Sequence, residues 1–113
     1  MNKSQVMRAN RLRGNSYERR LQTDLRKVTD LCQRSAGSHS PVDIWCIKGE
    51  NLFLIQAKSG VARPEKEREL LIKYADQIGE IIPIDAHTEN HKRSFLDLRN
   101  GFDWKDYLFR REI

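Results

Sequence analysis

No run in this chain approaches the ~18 consecutive apolar residues of a membrane-spanning helix, and the basic stretch Met1 to Gly14 lacks the apolar centre of a secretory signal. The reading is a protein of a cytoplasm-like compartment, the host cytoplasm if a virus encodes it. Cysteine is scarce. Cys32 and Cys46 each sit in an apolar run, which predicts buried thiols rather than a disulfide framework. The three histidines, His39, His87 and His91, lack the spacing of a zinc site. Internal repeats and low-complexity segments are absent too, so neither a repeat array nor a disordered chain is expected.

What is present suits a small soluble domain. A length of 113 residues allows one modest core, and 38% apolar with 33% charged residues leaves a large solvated surface. The charge is unevenly placed. Residues 1–30 carry eight Lys or Arg against three acids, so the whole net charge of +5 lies there and the remainder is neutral. A basic end on a soluble domain is a usual footprint of nucleic-acid binding. We read residues 1–13 as a basic arm and 14–113 as a single domain.

Asn15 and Glu18 form a capping-box pattern that starts a helix near Ser16. Tyr17, Leu21, Leu25, Val28 and Cys32 fall within an arc of about 80° at helical spacing, with Arg19, Arg20, Arg26 and Lys27 opposite and Glu18 at the border. Leu31–Arg34 reads as a short strand, and the small polar run after it as a loop. Two strands follow, joined by a turn at Lys48-Gly49-Glu50-Asn51. Pro64 opens a second helix that stops at Gly79. Ile81–His87 reads as a strand whose Pro83 argues for an edge or a strand end. Arg93–Leu98 is the last strand, and Trp104, Tyr107 and Leu108 have the spacing of a helical turn that packs back on the domain or, left exposed, on a partner. The order describes an α/β fold with a mixed sheet.

The chemistry gathers between Pro41 and Lys58. Asp43 puts a carboxylate where a half-buried strand prefers an apolar residue. In Leu52–Lys58, Gln56 and Lys58 project on one face while Ala57 points the other way. A carboxylate, an amide oxygen and the Ala57 carbonyl suit Mg2+, which takes oxygen ligands and keeps several waters. Lys58 is then placed to orient a water and offset charge on a phosphate, and Glu18 to approach the same ion through water.

Gly14, Glu18-Arg19, Arg34-Ser35-Ala36-Gly37-Ser38, Val42-Asp43 and Ile55-Gln56-Ala57-Lys58, taken in order, resemble the archaeal-type Holliday junction resolvases of the PD-(D/E)xK nuclease superfamily. The resemblance implies a restriction-endonuclease-like mixed β-sheet flanked by helices. It also implies a Mg2+-dependent homodimeric endonuclease, with Mn2+ as a substitute, acting on branched DNA at four-way junctions. Carried over, Glu18, Asp43, Gln56, Lys58 and Ser38 match catalytic positions; Asp43, Gln56, Ala57 and Glu18 are the metal set. Arg8, Arg11, Arg13, Arg19, Arg20, Arg26, Lys27 and Arg34 are expected at DNA. The chain departs from the family at Gln56, where most members have Glu, so the site carries one negative charge fewer. Two alternatives stand beside this reading: a restriction-like or flap-type nuclease of the same superfamily, and a non-catalytic DNA-binding module on a decayed nuclease fold.

Overall fold

The structure is a computed structural model that describes residues 16–35, 41–59 and 65–110. The expected arm with Arg8, Arg11 and Arg13, the cap at Asn15, Ser38 and Pro64 lie outside the described residues. The elements run α1 (16–26), β1 (Leu31–Arg34), β2 (Ile44–Lys48), β3 (Asn51–Ser59), α2 (Glu65–Ile78), β4 (Ile81–Glu89), β5 (Lys92–Asp97) and α3 (Lys105–Phe109). One five-stranded mixed sheet results, with the strands side by side in chain order. Neighbours pair antiparallel except β3 and β4, which are parallel. A parallel pair cannot be joined by a tight turn, and α2 supplies the crossover.

The alternation of each strand sorts its side chains between two layers. Ile44, Cys46, Phe53, Ile55, Ala57, Ile84, Ala86 and Phe95 form one face, buried together with Tyr17, Leu21 and Leu25 of α1 and Leu108 of α3. Full burial of Leu21 and Leu25 contributes roughly 1.5–3 kcal/mol each. The other face lies under α2, whose Leu71 and Ala75 are buried and which packs on β3 and β4.

The first helix is shorter than its apolar arc. The backbone N–H groups of Val28 and Thr29 and the Thr29 hydroxyl all donate to the Leu25 carbonyl. Three donors on one acceptor close the helix before Asp30, and Cys32 lies in β1, as the strand reading of Leu31–Arg34 expects. Turn chemistry sets the hairpins. Gly49 between β2 and β3 has φ +60°, and a Cβ there would meet the Tyr107 hydroxyl at 3.0 Å. Asn90 and His91, with φ 51° and 64°, make the two-residue turn with positive φ at both positions that matches strand twist.

Two expectations are corrected. Pro83 does not mark an edge strand, because β4 lies between β3 and β5. The proline is tolerated because the β4–β5 pairing starts one residue later, at Ile84↔Asp97. Beside it only the Leu98 N–H reaches the Pro83 carbonyl. Nor is the group Trp104, Tyr107 and Leu108 exposed. Leu108 is fully buried, and Trp104 and Tyr107 lie edge-on and tilted against Phe53 at 5.4 and 6.1 Å. The C-terminal segment closes the molecule's own core.

Candidate active site

Asp43 stands one residue before β2, at the end of the β2–β3 ladder. Its N–H donates to the Ile55 carbonyl at 2.9 Å, and its Oδ2 accepts the Ala57 N–H at 2.8 Å. The carboxylate thus takes the place of a ladder carbonyl, and its two bonds straddle Gln56. That locks an acid beside the Gln-x-Lys run without burying it fully.

Gln56 lies on the face covered by α2. Its Nε2 donates to the Glu67 carbonyl at 2.9 Å, while its Oε1 is buried without a hydrogen-bond partner. The side chain is wholly buried. Two residues on, Lys58 shares that face and is exposed. The parallel register sets Gln56 beside Asp85 and Lys58 beside His87. Asp85 is 1% exposed, and its Oδ1 also lacks a partner; its Oδ2 lies 3.8 Å from His87 Nδ1. Ser94 of β5 reaches the His87 ring at 3.3 Å.

Asp85 and His87 were missed in the sequence. The signal was there, since Ile84-Asp85-Ala86-His87 alternates apolar and polar, but only strand register shows that the polar side falls beside Gln56 and Lys58.

Glu18 belongs to α1, and its Oε2 accepts from Arg34 Nη2 at 3.0 Å; Arg34 pairs with Ile44 and the Ser35 N–H donates to the Asp43 carbonyl, so this ion pair is held one residue along the ladder from Asp43. The structure therefore brings together Asp43, Gln56, Ala57 and Lys58, and pairs Glu18 with Arg34. Arg19, Arg20, Arg26 and Lys27 are exposed along α1. Arg26 is also used structurally, donating through Nε to the Cys32 carbonyl at 3.2 Å.

Cys32 and Cys46 face each other across β1 and β2 as free thiols with sulfurs 2.9 Å apart, Cys46 donating. That hydrogen bond lowers the pKa of the Cys32 thiol below its ordinary value. The same bond, with burial, pushes Cys46 far above its own.

Fit to a divalent cation rests on the donor atoms. The Oε1 of Gln56 is an orphaned oxygen, the Asp43 carboxylate is held at the N–H of the next residue, Ala57, and oxygen donors suit Mg2+, which is bound by one or two carboxylates together with substrate phosphate. Among the described residues no group of three or more His, Cys, Asp or Glu forms a self-sufficient metal cage.

No family profile matches the sequence, and no curated protein does. Among solved structures the chain is similar to Hjc of Archaeoglobus fulgidus, a Holliday junction resolvase from an archaeal hyperthermophile. The two share 24% identity over 77% of this chain and 74% of that one, with a TM-score of 0.66. The chain thus has the α/β fold of that archaeal resolvase, a mixed sheet flanked by helices.

Proposed function

We propose that the protein is a structure-selective DNA endonuclease that resolves four-way junctions by metal-dependent phosphodiester hydrolysis, working as a homodimer. The observation that carries the reading is the lock of Asp43 onto the Ala57 N–H, which sets a carboxylate beside Gln56 and Lys58 on a resolvase-like fold. Asp43, the Gln56 amide oxygen and the Ala57 carbonyl would hold Mg2+. When bound, the ion supplies Lewis acidity toward the phosphate and a water acidic enough to act as nucleophile. Lys58, exposed on the same face as Gln56, offsets charge on the scissile phosphate. Arg19 and Arg20 on α1 contribute backbone contacts that carry no base sequence, so shape governs the choice of substrate.

The test is cleavage of an end-labelled four-way junction with Mg2+, run beside linear duplex of the same sequence. Symmetric nicks in the junction, with little cutting of the duplex, are expected; equal cutting of both would overturn junction selectivity.

A specific observation favours a second reading, the non-catalytic DNA-binding module. Gln56 is fully buried and its amide is spent on the Glu67 carbonyl. If the protein binds junctions, yet no cleavage occurs with Mg2+ or Mn2+, the second reading replaces the first.

A further inference from the structure

One cavity lies away from Asp43 and Lys58. It lies on the opposite side of the sheet, between α1, the β4–β5 hairpin and α3, and measures about 570 Å³. That falls in the range of roughly 300–1,000 Å³ typical of small-molecule sites. Its lining combines two kinds of group. Arg20, Arg93, Lys105 and His91 supply cations and donors, Phe109 supplies aromatic surface and Tyr17 its hydroxyl, and among the described residues no carboxylate lines it.

The site is held in shape rather than being a chance gathering of surface lysines. Arg93, which lines the cleft, is anchored from α1 by Asp24 at 2.7 Å. The Tyr17 hydroxyl is fixed by Thr88 Oγ1 at 3.2 Å. Phe109 rests on Phe95 with ring centroids 5.4 Å apart, so its position is set from the core. His91 is carried on the tight turn, with φ 64°.

Cations beside aromatic faces are the chemistry by which single-stranded nucleic acid is held, the phosphate by charge and the base by stacking. A paired base hides its faces in the duplex stack, whereas a cleft of this size admits one base. We propose that this cleft binds one unpaired nucleotide of a DNA strand, its phosphate against Arg20, Arg93 and Lys105 and its base against the half-buried Phe109, with the Tyr17 hydroxyl at the floor. The inference rests on the DNA-processing reading above and adds a second contact with the substrate, on the face of the sheet away from Lys58. A branched substrate meets it where a strand leaves its helix.

The test uses the full-length chain and a ~10-nucleotide oligothymidylate, within the span of one single-strand site. A photoreactive copy carrying 5-iodouracil is cross-linked and the product mapped by mass spectrometry. The cross-link is expected at His91 or Phe109. Affinities are then read by fluorescence anisotropy for Lys105→Glu and Lys105→Arg, with thermal melting as the check on folding. Lys105→Glu is expected to weaken oligothymidylate binding about tenfold, to change linear-duplex binding less than about twofold, and to be matched by wild-type affinity in Lys105→Arg. Thymidine monophosphate serves as competitor and separates a free nucleotide from a strand. Cross-links confined to other segments, or equal losses on oligothymidylate and duplex, would overturn the cleft. If junctions are still cut in that case, only the cleft fails; if no DNA of any form is bound, the DNA reading itself fails with it.

Discussion

At the scale of single residues, the two side chains that straddle the β2–β3 ladder end make opposite demands. Asn in place of Asp43 keeps an oxygen for the Ala57 N–H, so Asp43→Asn should fold with a melting temperature near wild type while losing at least about a hundredfold in junction cleavage. Retained cleavage would remove Asp43 from the reaction. Gln56→Glu restores the family's acid but not the fold's requirement. A carboxylate cannot donate to the Glu67 carbonyl, and it would be buried beside Asp85. A loss of about 2–4 kcal/mol is expected in EDTA, reversed in part by Mg2+ as the ion finds a second acid. A melting temperature indifferent to Mg2+ in that variant would argue against a metal at this position. The cysteines add a pH effect. Cys46 is pushed up, so the folded state keeps a proton that the unfolded chain releases above the ordinary value of 9.0. Its stabilisation is therefore present below that value and lost as pH rises past it. Cys32, held below its ordinary value by the same bond, has the opposite slope below 9.0, so the Cys46 effect is read above it: between about pH 9 and pH 11 the urea midpoint should fall further for wild type than for Cys46→Val, and identical falls would show that the thiol pair does not contribute.

At the scale of elements, α2 is the helix with unfinished business. Its inner side buries Leu71 and Ala75, while Leu70, Tyr74 and Ile78, spaced four apart, remain 37, 36 and 68% exposed. An apolar stripe on one helix is a surface for self-association, and the correction at Trp104, Tyr107 and Leu108 leaves α2 as the candidate for the proposed dimer. Leu70→Lys with Ile78→Lys should convert a dimer to monomer in sedimentation without lowering the melting temperature of the monomer; an unchanged dimer would place the interface elsewhere. The elements also show what sequence can carry. Helix and strand spans followed from spacing, because Tyr17, Leu21 and Leu25 or Gln56 and Lys58 need only local geometry. The Asp43 and Gln-x-Lys pair was visible for the same reason, two strands and one short turn apart. What escaped depends on distant partners. Lys48 reads as a turn residue, yet its ammonium is 6% exposed and bonds the Leu108 and Arg110 carbonyls at 2.8 and 2.7 Å, capping the end of α3. Asp85 and His87 were hidden likewise, since a parallel register made through α2 has no signature in either strand alone.

At the scale of the whole molecule, charge and shape divide the work of finding a substrate. The net charge of +5 sits in the first 30 residues, and residues 1–13 hold four of those cations, Lys3, Arg8, Arg11 and Arg13, with no acid. A basic segment of this kind attracts any DNA by counterion release, at a slope of about 0.9 per phosphate neutralised. The proposed selectivity for branched DNA would have to come from surfaces of fixed geometry: the Asp43 and Lys58 face on one side of the sheet and the Arg20, Arg93 and Lys105 cleft on the other. Deleting residues 1–13 should therefore weaken binding to junction and duplex alike, and flatten the dependence of log affinity on log salt by up to about 3 to 4 units. The ratio of junction to duplex affinity should stay within about twofold of the full chain, because the geometric surfaces are intact. Anisotropy titrations at several salt concentrations read both quantities. A slope that does not change would mean that the arm is a solvated tail, and a collapsed ratio would mean that the arm, rather than the two faces of the sheet, recognises the branch.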